Sequence, residues 1–396
     1  MHFVRVFRSA LSVAQEVQLV WVGRFTANTT HVSAKDPELL QNIRRTMDLN
    51  ISARIDQLEK PLQEYYRRII RKDSDKREVK QTLQSTLKKM LEFIHERDKL
   101  FANYFILVGS VADGTKTEAV NELDVLIPLQ LGKLKVAPGD HHLNLFGVHE
   151  HVDGEWRWLS HDQTILRLYN LVNEYKELYY KNDHGFQVTK KKVLASALPL
   201  MINWISIDMV LCIENALSFS DVKWPFPSWL CGKSKWLSCE QQEQIKSIGI
   251  DMTCQGLYWR PSFSRIDAFV FGEIDGKGGY CKKAFKILKS LNSYYWTVDQ
   301  LCSDYRGKTK PFLNSFFMKI LYLHTREKYP EPHQWNTLSK SFCNFLDVLN
   351  DCCNHKCLHH YYHADVNLFE RVADKTFQWL QGKIHNILED PENELD

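Results

Sequence analysis

The sequence of 396 residues lacks an unbroken apolar run of membrane-spanning length, a clear secretory signal and a regular spacing of cysteines. Charged and amide side chains interrupt the apolar stretches of residues 1–35, which argues against a secretory h-region. The apolar run at residues 193–213 contains Pro199 and Asp208, which would be costly in lipid. Ten cysteines without a disulfide framework are typical of reduced thiols in an intracellular protein. We therefore predict a cytoplasmic protein that does not insert into a membrane.

The chain also has little net charge, +3 at pH 7, so any affinity for nucleic acid has to come from local patches. Glycine is absent from residues 38–100, whose apolar spacing predicts helix, with Pro61 expected to kink or interrupt it. A basic cluster in this helical region is a candidate contact for a nucleic-acid backbone. The alternative is a solvated helix face that is balanced by neighbouring acidic residues. The cluster consists of Arg67, Arg68, Arg71, Lys72, Lys76, Arg77 and Lys80.

Three acidic residues lie on two segments that alternate like strands, residues 122–129 and 205–213. Because successive side chains of a strand point to opposite faces, Glu122 and Asp124 share one face, and Asp208 lies opposite the apolar face of its own strand. Adjacent carboxylates repel one another unless cations hold them, and their oxygens suit Mg²⁺ or Mn²⁺. Two such ions, roughly 3.5 to 4 Å apart, are suited to phosphoryl transfer.

A Gly-Ser pair follows an apolar segment, residues 105–108, that predicts a buried strand. Gly109 and Ser110 permit a tight turn whose N–H groups and hydroxyl can face a triphosphate. The alternative is that the three acidic residues are ordinary solvent-facing charges at strand ends. That alternative fits Asp208 poorly, because residues 193–213 contain no other charge.

These motifs resemble the cyclic GMP-AMP synthase-like nucleotidyltransferases, a family that includes the male-abnormal developmental proteins. The resemblance runs in family order from about residue 100 to about residue 370. Beyond the acidic segments it includes Lys-Trp-Pro at 223–225, Trp-Arg-Pro-Ser-Phe-Ser at 259–264, a lysine-bearing helix at 281–291, Ser-Phe at 315–316, Gln-Trp at 334–335 and Asn-Leu-Phe at 367–369. It implies an α+β, bilobed nucleotidyltransferase fold, with a mixed β-sheet catalytic lobe and a C-terminal helical lobe. We predict a flexible leader at 1–36, a nucleotidyltransferase core with an N-terminal spine helix at 37–222, and a helical lobe at 223–390.

The resemblance also implies roles for individual residues. Glu122, Asp124 and Asp208 would be the catalytic carboxylates and the Mg²⁺ ligands, and Arg260 would contact a base. Phe316 replaces the family's stacking tyrosine, so it can stack but offers no hydroxyl. The alternatives are core packing for Phe316 and simple solvation for the helix lysines. The full set of implied nucleotide contacts is Gly109, Ser110, Arg260, Ser262, Lys286, Ser315 and Phe316, with Ser264 nearby.

One departure from the family concerns zinc. The vertebrate DNA sensor carries one His and three Cys between the Trp-Arg motif and the lysine helix, whereas residues 272–279 here form a short glycine-rich connection without such ligands. The resemblance therefore favours the relatives that lack this zinc thumb and respond to double-stranded RNA, with DNA as the less favoured activator. A later cluster suits zinc by residue type, but its position matches a helix connection, so we expect no structural zinc there. Its members are Cys352, Cys353, His355, Cys357, His359, His360 and His363.

The sequence thus predicts a nucleic-acid-activated enzyme that makes a cyclic dinucleotide messenger, similar to cyclic GMP-AMP, from ATP and GTP in innate immune sensing. Dimerisation on the nucleic acid is a further option. Two alternatives stay open, a catalytically silent binding protein and a nucleotidyltransferase that makes linear products.

Overall fold

The computed structural model describes residues 55–70, 79, 81–117, 121–138, 145–189, 196–220, 234, 236–255, 257–273, 279–296 and 313–395. The predicted leader at 1–36 lies outside these residues. The same is true of five members of the predicted basic cluster, namely Arg71, Lys72, Lys76, Arg77 and Lys80.

A mixed sheet of ten strands forms the centre of the described part of the chain. The strands are β1 (Ile106–Val108), β2 (Glu122–Pro128), β3 (Leu134–Pro138), β4 (Phe146–Val152), β5 (Glu155–Trp158), β6 (Phe186–Val188), β7 (Leu198–Ile202), β8 (Ile205–Leu217), β9 (Ile250–Gln255) and β10 (Tyr258–Ser262). The main path runs β1-β2-β8-β9-β10-β4-β3, with β5 paired to β4 and the β6–β7 hairpin paired through β7 to β8. The β2–β8 pair is parallel, and its neighbours β1–β2, β7–β8 and β8–β9 are antiparallel.

Helices surround this sheet and dominate the C-terminal part of the chain. They are α1 (Ile55–Ile69), α2 (Lys88–Arg97), α3 (Gly109–Ala112), α4 (His161–Tyr179), α5 (Cys239–Ile248), α6 (Ser264–Glu273), α7 (Cys281–Tyr294), α8 (Ser315–Lys328), α9 (Leu338–His355), α10 (Asp374–Glu389) and α11 (Pro391–Glu394). A short hairpin of β11 (His359–His360) and β12 (His363–Asn367) follows α9. The mixed sheet and the C-terminal helices confirm the predicted α+β fold.

One face of the sheet is buried against α2 and α4. The predicted alternation is confirmed, because Leu123, Val125 and Ile127 on β2 and Ile207 and Met209 on β8 are all fully buried. Each large apolar side chain removed from water contributes about 1.5 to 3 kcal/mol, so this pattern fixes the register of both strands. The polar residues between them must then lie on the opposite face, which we call the carboxylate face.

A second core joins α1 to the helices that follow the sheet. Leu58, Leu62 and Tyr65 of α1 are buried in it, and α1 contacts α7 and α9. The helix runs without interruption through Pro61, so an interruption there does not occur, while a kink at Pro61 stays a prediction. Proline removes one helical hydrogen bond, but its fixed φ is close to the helical value, and the buried face of α1 compensates for the lost bond.

The two cores do not follow one simple division of the chain. The predicted lobe boundary near residue 222 stays a prediction, because residues 221–233 lie outside the described part. Strands β9 and β10 come after that point and belong to the sheet, whereas α1 comes before it and belongs to the helical core. Among the described helices, none combines the length and the apolar character that a membrane crossing needs.

Candidate active site

Two acidic residues lie side by side on the central parallel strands. In the β2–β8 ladder Asp124 is the partner of Asp208, and Glu122 is the partner of Ser206. All four residues lie on the carboxylate face, because their sequence neighbours occupy the sheet core. The structure therefore brings Asp124 and Asp208 together. It places Glu122 one pleat away from Asp124 on the same face, and this shared face is what the alternation predicted.

The electrostatics of this face favour a cation. Burial raises the pKa of Asp124, and the nearby charges of Glu122 and Asp208 raise it further, while Lys319 and Lys116 oppose the shift. The closest of these lysines to Glu122 is Lys116, whose Nζ lies 3.7 Å from Glu122 Oε2. A carboxylate whose acidic neighbours disfavour its charge gains from a bound cation, which supplies the missing positive charge.

Within the described ranges, no group of three or more His, Cys, Asp or Glu side chains is placed so that it could hold a metal ion, so Glu122, Asp124 and Asp208 do not form a ready-made three-carboxylate site. Mg²⁺ is usually held by one or two carboxylates together with waters and substrate phosphates. The Asp124–Asp208 pair, with Glu122 nearby, offers the hard oxygen donors that such an ion needs. The residues present therefore fit a magnesium site that a bound nucleotide would complete.

A glycine turn lies directly against this pair. Strand β1 ends at Val108, which is the ladder partner of Asp124, and Gly109 follows with φ of 74°. A Cβ on Gly109 would lie 2.2 Å from Asp124 Oδ2, so glycine is required here by conformation and by space. Within the turn the Thr115 N–H donates to the Ser110 carbonyl oxygen at 2.9 Å. We refer to residues 109–115 as the Gly-Ser turn.

The lysine helix α7 faces the Gly-Ser turn. Its apolar side is buried as predicted, with Phe285, Leu288 and Leu291 at 1% exposure or less. The Nζ of Lys282 lies 3.7 Å from the point where a Cβ on Gly114 would stand. Lys282 and Lys286 are four residues apart and therefore lie on the same face of the helix. The face that carries both lysines is thus directed towards the turn. Lys286 is half-buried.

The first turn of α8 carries the predicted Ser-Phe pair. Ser315 is the first helical residue, and the N-cap Asn314 accepts a hydrogen bond from the Phe317 N–H at 2.8 Å. Both Ser315 and Phe316 are exposed, Phe316 at 41%, which does not fit burial of that ring in the core. The Phe316 ring lies 5.3 Å from the ring of His360. An exposed ring at a helix N-terminus is available to a base, and the helix end favours an anion.

Arg260 and Ser262 lie on β10, on the same side of the sheet as the carboxylates. Their face is fixed by Trp259, which is fully buried in the sheet core. Burial lowers the pKa of His360 to about 4, and the charge of Arg260 is among the further causes, so Arg260 lies near the His360–Phe316 pair. Ser262 Oγ donates to Ser264 Oγ at 3.2 Å, which ties it to the start of α6.

Sequence reasoning missed a buried ionic cluster beside the site. Lys319 of α8 pairs with Asp113 of the Gly-Ser turn, and Asp267 of α6 accepts a hydrogen bond from the Tyr362 hydroxyl. Nothing in the sequence marks these residues, because a lysine four positions after Ser315 looks like an ordinary exposed helix residue. Only the fold brings them together.

The described members of the basic cluster lie on α1, against the helical core. Arg67 is exposed. Arg68 donates to the backbone oxygen of Leu395 and lies over the Tyr65 ring, with 5.5 Å between its guanidinium carbon and the ring centroid. Tyr65 itself is buried and bonded to Ser290. A nucleic-acid role for this cluster stays a prediction.

The candidate zinc residues surround the end of α9. Burial raises the pKa of Cys352 to about 12 and also raises the pKa of Cys353, which keeps both thiols protonated. Cys352 and Cys357 are only partly exposed, and Cys353 is buried. The absence of a structural zinc at these residues stays a prediction.

The mixed sheet, its paired carboxylates and the adjoining glycine turn form an arrangement that suits nucleotidyl transfer. Residues 280–386 match the family model described as the Mab-21 protein HhH/H2TH-like domain. This segment contains α7, α8 and α9 and most of α10, so the C-terminal helices are similar to that domain.

Comparisons with single proteins agree with this assignment. The chain is similar to Protein mab-21-like 3 of Danio rerio, with 27% identity over 40% of this chain and 38% of the relative. The protein of the same name in Xenopus laevis is 24% identical over 42% of this chain and 44% of the relative. The chain thus spans about two fifths of the length of these two relatives. A Cyclic GMP-AMP synthase-like receptor of Tribolium castaneum is 22% identical over 81% of this chain and 85% of the relative. Together the matches support the Mab-21 and cyclic GMP-AMP synthase-like family, without distinguishing its members.

Proposed function

We propose that this chain is a metal-dependent nucleotidyltransferase that joins ATP and GTP into a cyclic dinucleotide when it binds double-stranded RNA. The observation that carries the proposal is the pairing of Asp124 with Asp208 on adjacent parallel strands, directly beside the Gly-Ser turn. A nucleotidyltransferase needs carboxylates and a phosphate-binding turn at one place, and the glycine turn beside the paired carboxylates is suited to that second role.

In the proposed mechanism the residues of both cores hold the nucleotides. The Gly-Ser turn, Lys286 and Ser315 bind the triphosphate, while Phe316 stacks on a base and Arg260 contacts its edge. Mg²⁺ held by Glu122, Asp124 and Asp208 would neutralise the charge that develops on the phosphoryl oxygens.

Asp208 takes the proton from the acceptor hydroxyl, whose oxygen then attacks the α-phosphorus in line. A new P–O bond forms, the bond to the β-phosphate oxygen breaks, and pyrophosphate leaves. The linear dinucleotide turns in the site, and a second transfer of the same kind closes the ring.

The choice of RNA as activator is supported by the short connection between the Trp-Arg motif and the lysine helix, and similarity supports only the need for an activator. The Tribolium castaneum relative is named as a receptor. Residues 272–279 contain none of the His and Cys ligands of a zinc thumb. Duplex binding would order the Gly-Ser turn and so make transfer depend on activator. A cytoplasmic location, and a dimer on the duplex, belong to the same proposal.

The test is a product assay. Purified protein is incubated with labelled ATP, GTP and Mg²⁺, with long duplex RNA, with duplex DNA or with neither, and products are separated by chromatography. The expected result is a cyclic dinucleotide that needs duplex RNA and disappears in the Glu122→Gln plus Asp124→Asn variant. A linear product without any duplex would instead favour an enzyme that extends another acceptor.

A second candidate is a catalytically silent binding protein. The observation in its favour is that two relatives share the name mab-21-like 3 and match only part of this chain. This candidate predicts nucleotide binding without turnover under every duplex. The intact set of three carboxylates on one face argues for the enzyme.

A further inference from the structure

A buried ion pair connects the Gly-Ser turn to helix α8. Lys319 Nζ lies 2.6 Å from Asp113 Oδ2, and the side chains of Lys319 and Asp113 are only 15% and 0% exposed. Neither carboxylate oxygen of Asp113 accepts a well-directed hydrogen bond from the described residues, so its charge is balanced chiefly by this ammonium group. Removing one partner of such a pair is costly, because the other partner is left as a buried charge without compensation.

A second buried acid holds Lys319 from the other direction. Burial alone would lower the pKa of Lys319, but Asp267, Asp113 and Asp124 outweigh it, so the pKa is raised and the ammonium stays charged. Asp267 is fixed in turn by the Tyr362 hydroxyl, which donates to Asp267 Oδ1 at 2.5 Å. The Tyr362 ring also stacks on Phe263, with 4.1 Å between the centroids. Lys319 is therefore held in place on several sides.

The pair acts on the turn through its backbone. The Asp113 N–H donates to the Gly109 carbonyl oxygen at 3.0 Å, which closes the turn that lies against Asp124. On the other side of the pair, Lys319 lies one helical turn after Ser315. One ion pair thus spans from the Gly-Ser turn to the helix that presents the Ser-Phe pair.

We propose that Lys319 is a positioning residue, which holds the Gly-Ser turn at a fixed distance from the first turn of α8 so that both halves of the nucleotide site act on one triphosphate. This inference rests on the proposed function for its consequence in catalysis. Its structural part, the ordering of the turn by Lys319, does not depend on turnover.

The test measures the order of the turn directly by amide hydrogen exchange. The N–H groups of Asp113, Gly114 and Thr115 are bonded within the turn, so a peptide covering residues 106–117 reports its opening. In Lys319→Met we expect this peptide to exchange on the order of tenfold faster, whereas Lys319→Arg stays close to wild type. Lys328→Met is the matched control, because Lys328 also lies on α8 and pairs with Asp347 on the surface.

Turnover provides the second readout. If the enzyme is active, Lys319→Met should lower kcat on the order of 100-fold with little change in the nucleotide KM, since misplacement by about 1 Å has an effect of this size. Lys319→Arg should recover most of kcat. A fall in kcat with unchanged exchange would overturn the positioning role, since Lys319 would then act on the nucleotide itself.

A variant that fails to fold does not end the test. The double variant Asp113→Asn plus Lys319→Met removes both charges together, and replacing a buried pair by neutral residues is often well tolerated. It should show the same faster exchange of residues 106–117. Wild-type exchange in both variants would refute the inference. If wild-type protein has no turnover but the exchange differs as expected, the proposed function fails and the positioning role stands.

Discussion

Alanine at Gly109 and alanine at Gly154 together separate two requirements for glycine, the space beside Asp124 and the left-handed backbone conformation. The new Cβ on Gly109 would lie 2.2 Å from Asp124 Oδ2 and 3.1 Å from its Cγ, so the carboxylate or the turn has to move by about 1 Å to restore van der Waals contact. Alanine at φ of 74° adds strain of roughly 1 to 2 kcal/mol. A shift of about 1 Å at reacting groups lowers rates on the order of 100-fold.

Gly154 provides a matched control for this substitution. Its φ is 86°, and a Cβ there would meet nothing within 4 Å. Backbone strain should cost each variant roughly 1 to 2 kcal/mol in urea unfolding, and Gly109→Ala should lose more in total because of its clash with Asp124. Only Gly109→Ala should lose turnover, or metal-dependent nucleotide binding if turnover is absent. Full activity in Gly109→Ala, or an equal loss in both variants, would refute the assignment of this turn to the site.

Three further predictions follow from single contacts. Phe316→Ala should weaken nucleotide binding by roughly 1 to 3 kcal/mol in a calorimetric titration without changing stability, since the ring is exposed, and an unchanged Kd would count against stacking. Arg265→Met should destabilise the fold by about 3 to 5 kcal/mol in urea unfolding at pH 7, because Asp251 is 1% exposed and loses the 2.6 Å bond from Arg265 Nε. Burial raises the pKa of Asp267 to about 6, so its contribution to stability is present below about pH 4 and is lost as the pH rises through 6. Asp267→Asn should therefore show less loss of melting temperature than wild type between pH 4 and pH 7, and an identical loss would contradict this pKa.

The carboxylate face was predictable because it depends on local periodicity. Alternation in residues 122–129 and 205–213 is strong enough to fix which side chains are buried, and the structure buries those side chains. The same holds for the lysine helix, whose apolar stripe is visible in the sequence. Periodicity does not predict that β2 and β8 are neighbours in the sheet. That expectation came from the family resemblance.

The long-range contacts were beyond sequence reasoning. Lys319 and Asp113 lie far apart in the chain, and a lysine is normally exposed, so no pattern indicates a buried pair. The same applies to Arg68, whose guanidinium bonds to Leu395, 327 residues away. The expected interruption at Pro61 does not occur for a different reason. The buried face of α1 outweighs the helix-breaking tendency of proline.

The most direct measurement is Mn²⁺ binding, followed by electron paramagnetic resonance in the presence of a nonhydrolysable ATP analogue. Wild-type protein should bind Mn²⁺ together with the nucleotide, and Asp124→Asn plus Asp208→Asn should abolish this binding while the fold is retained. Glu150→Gln plus Asp153→Asn, which removes two acidic residues from the distal part of the sheet around β4, should bind as wild type does. Equal binding by wild type and the Asp124 and Asp208 variant would contradict the assignment of the paired carboxylates as the metal site.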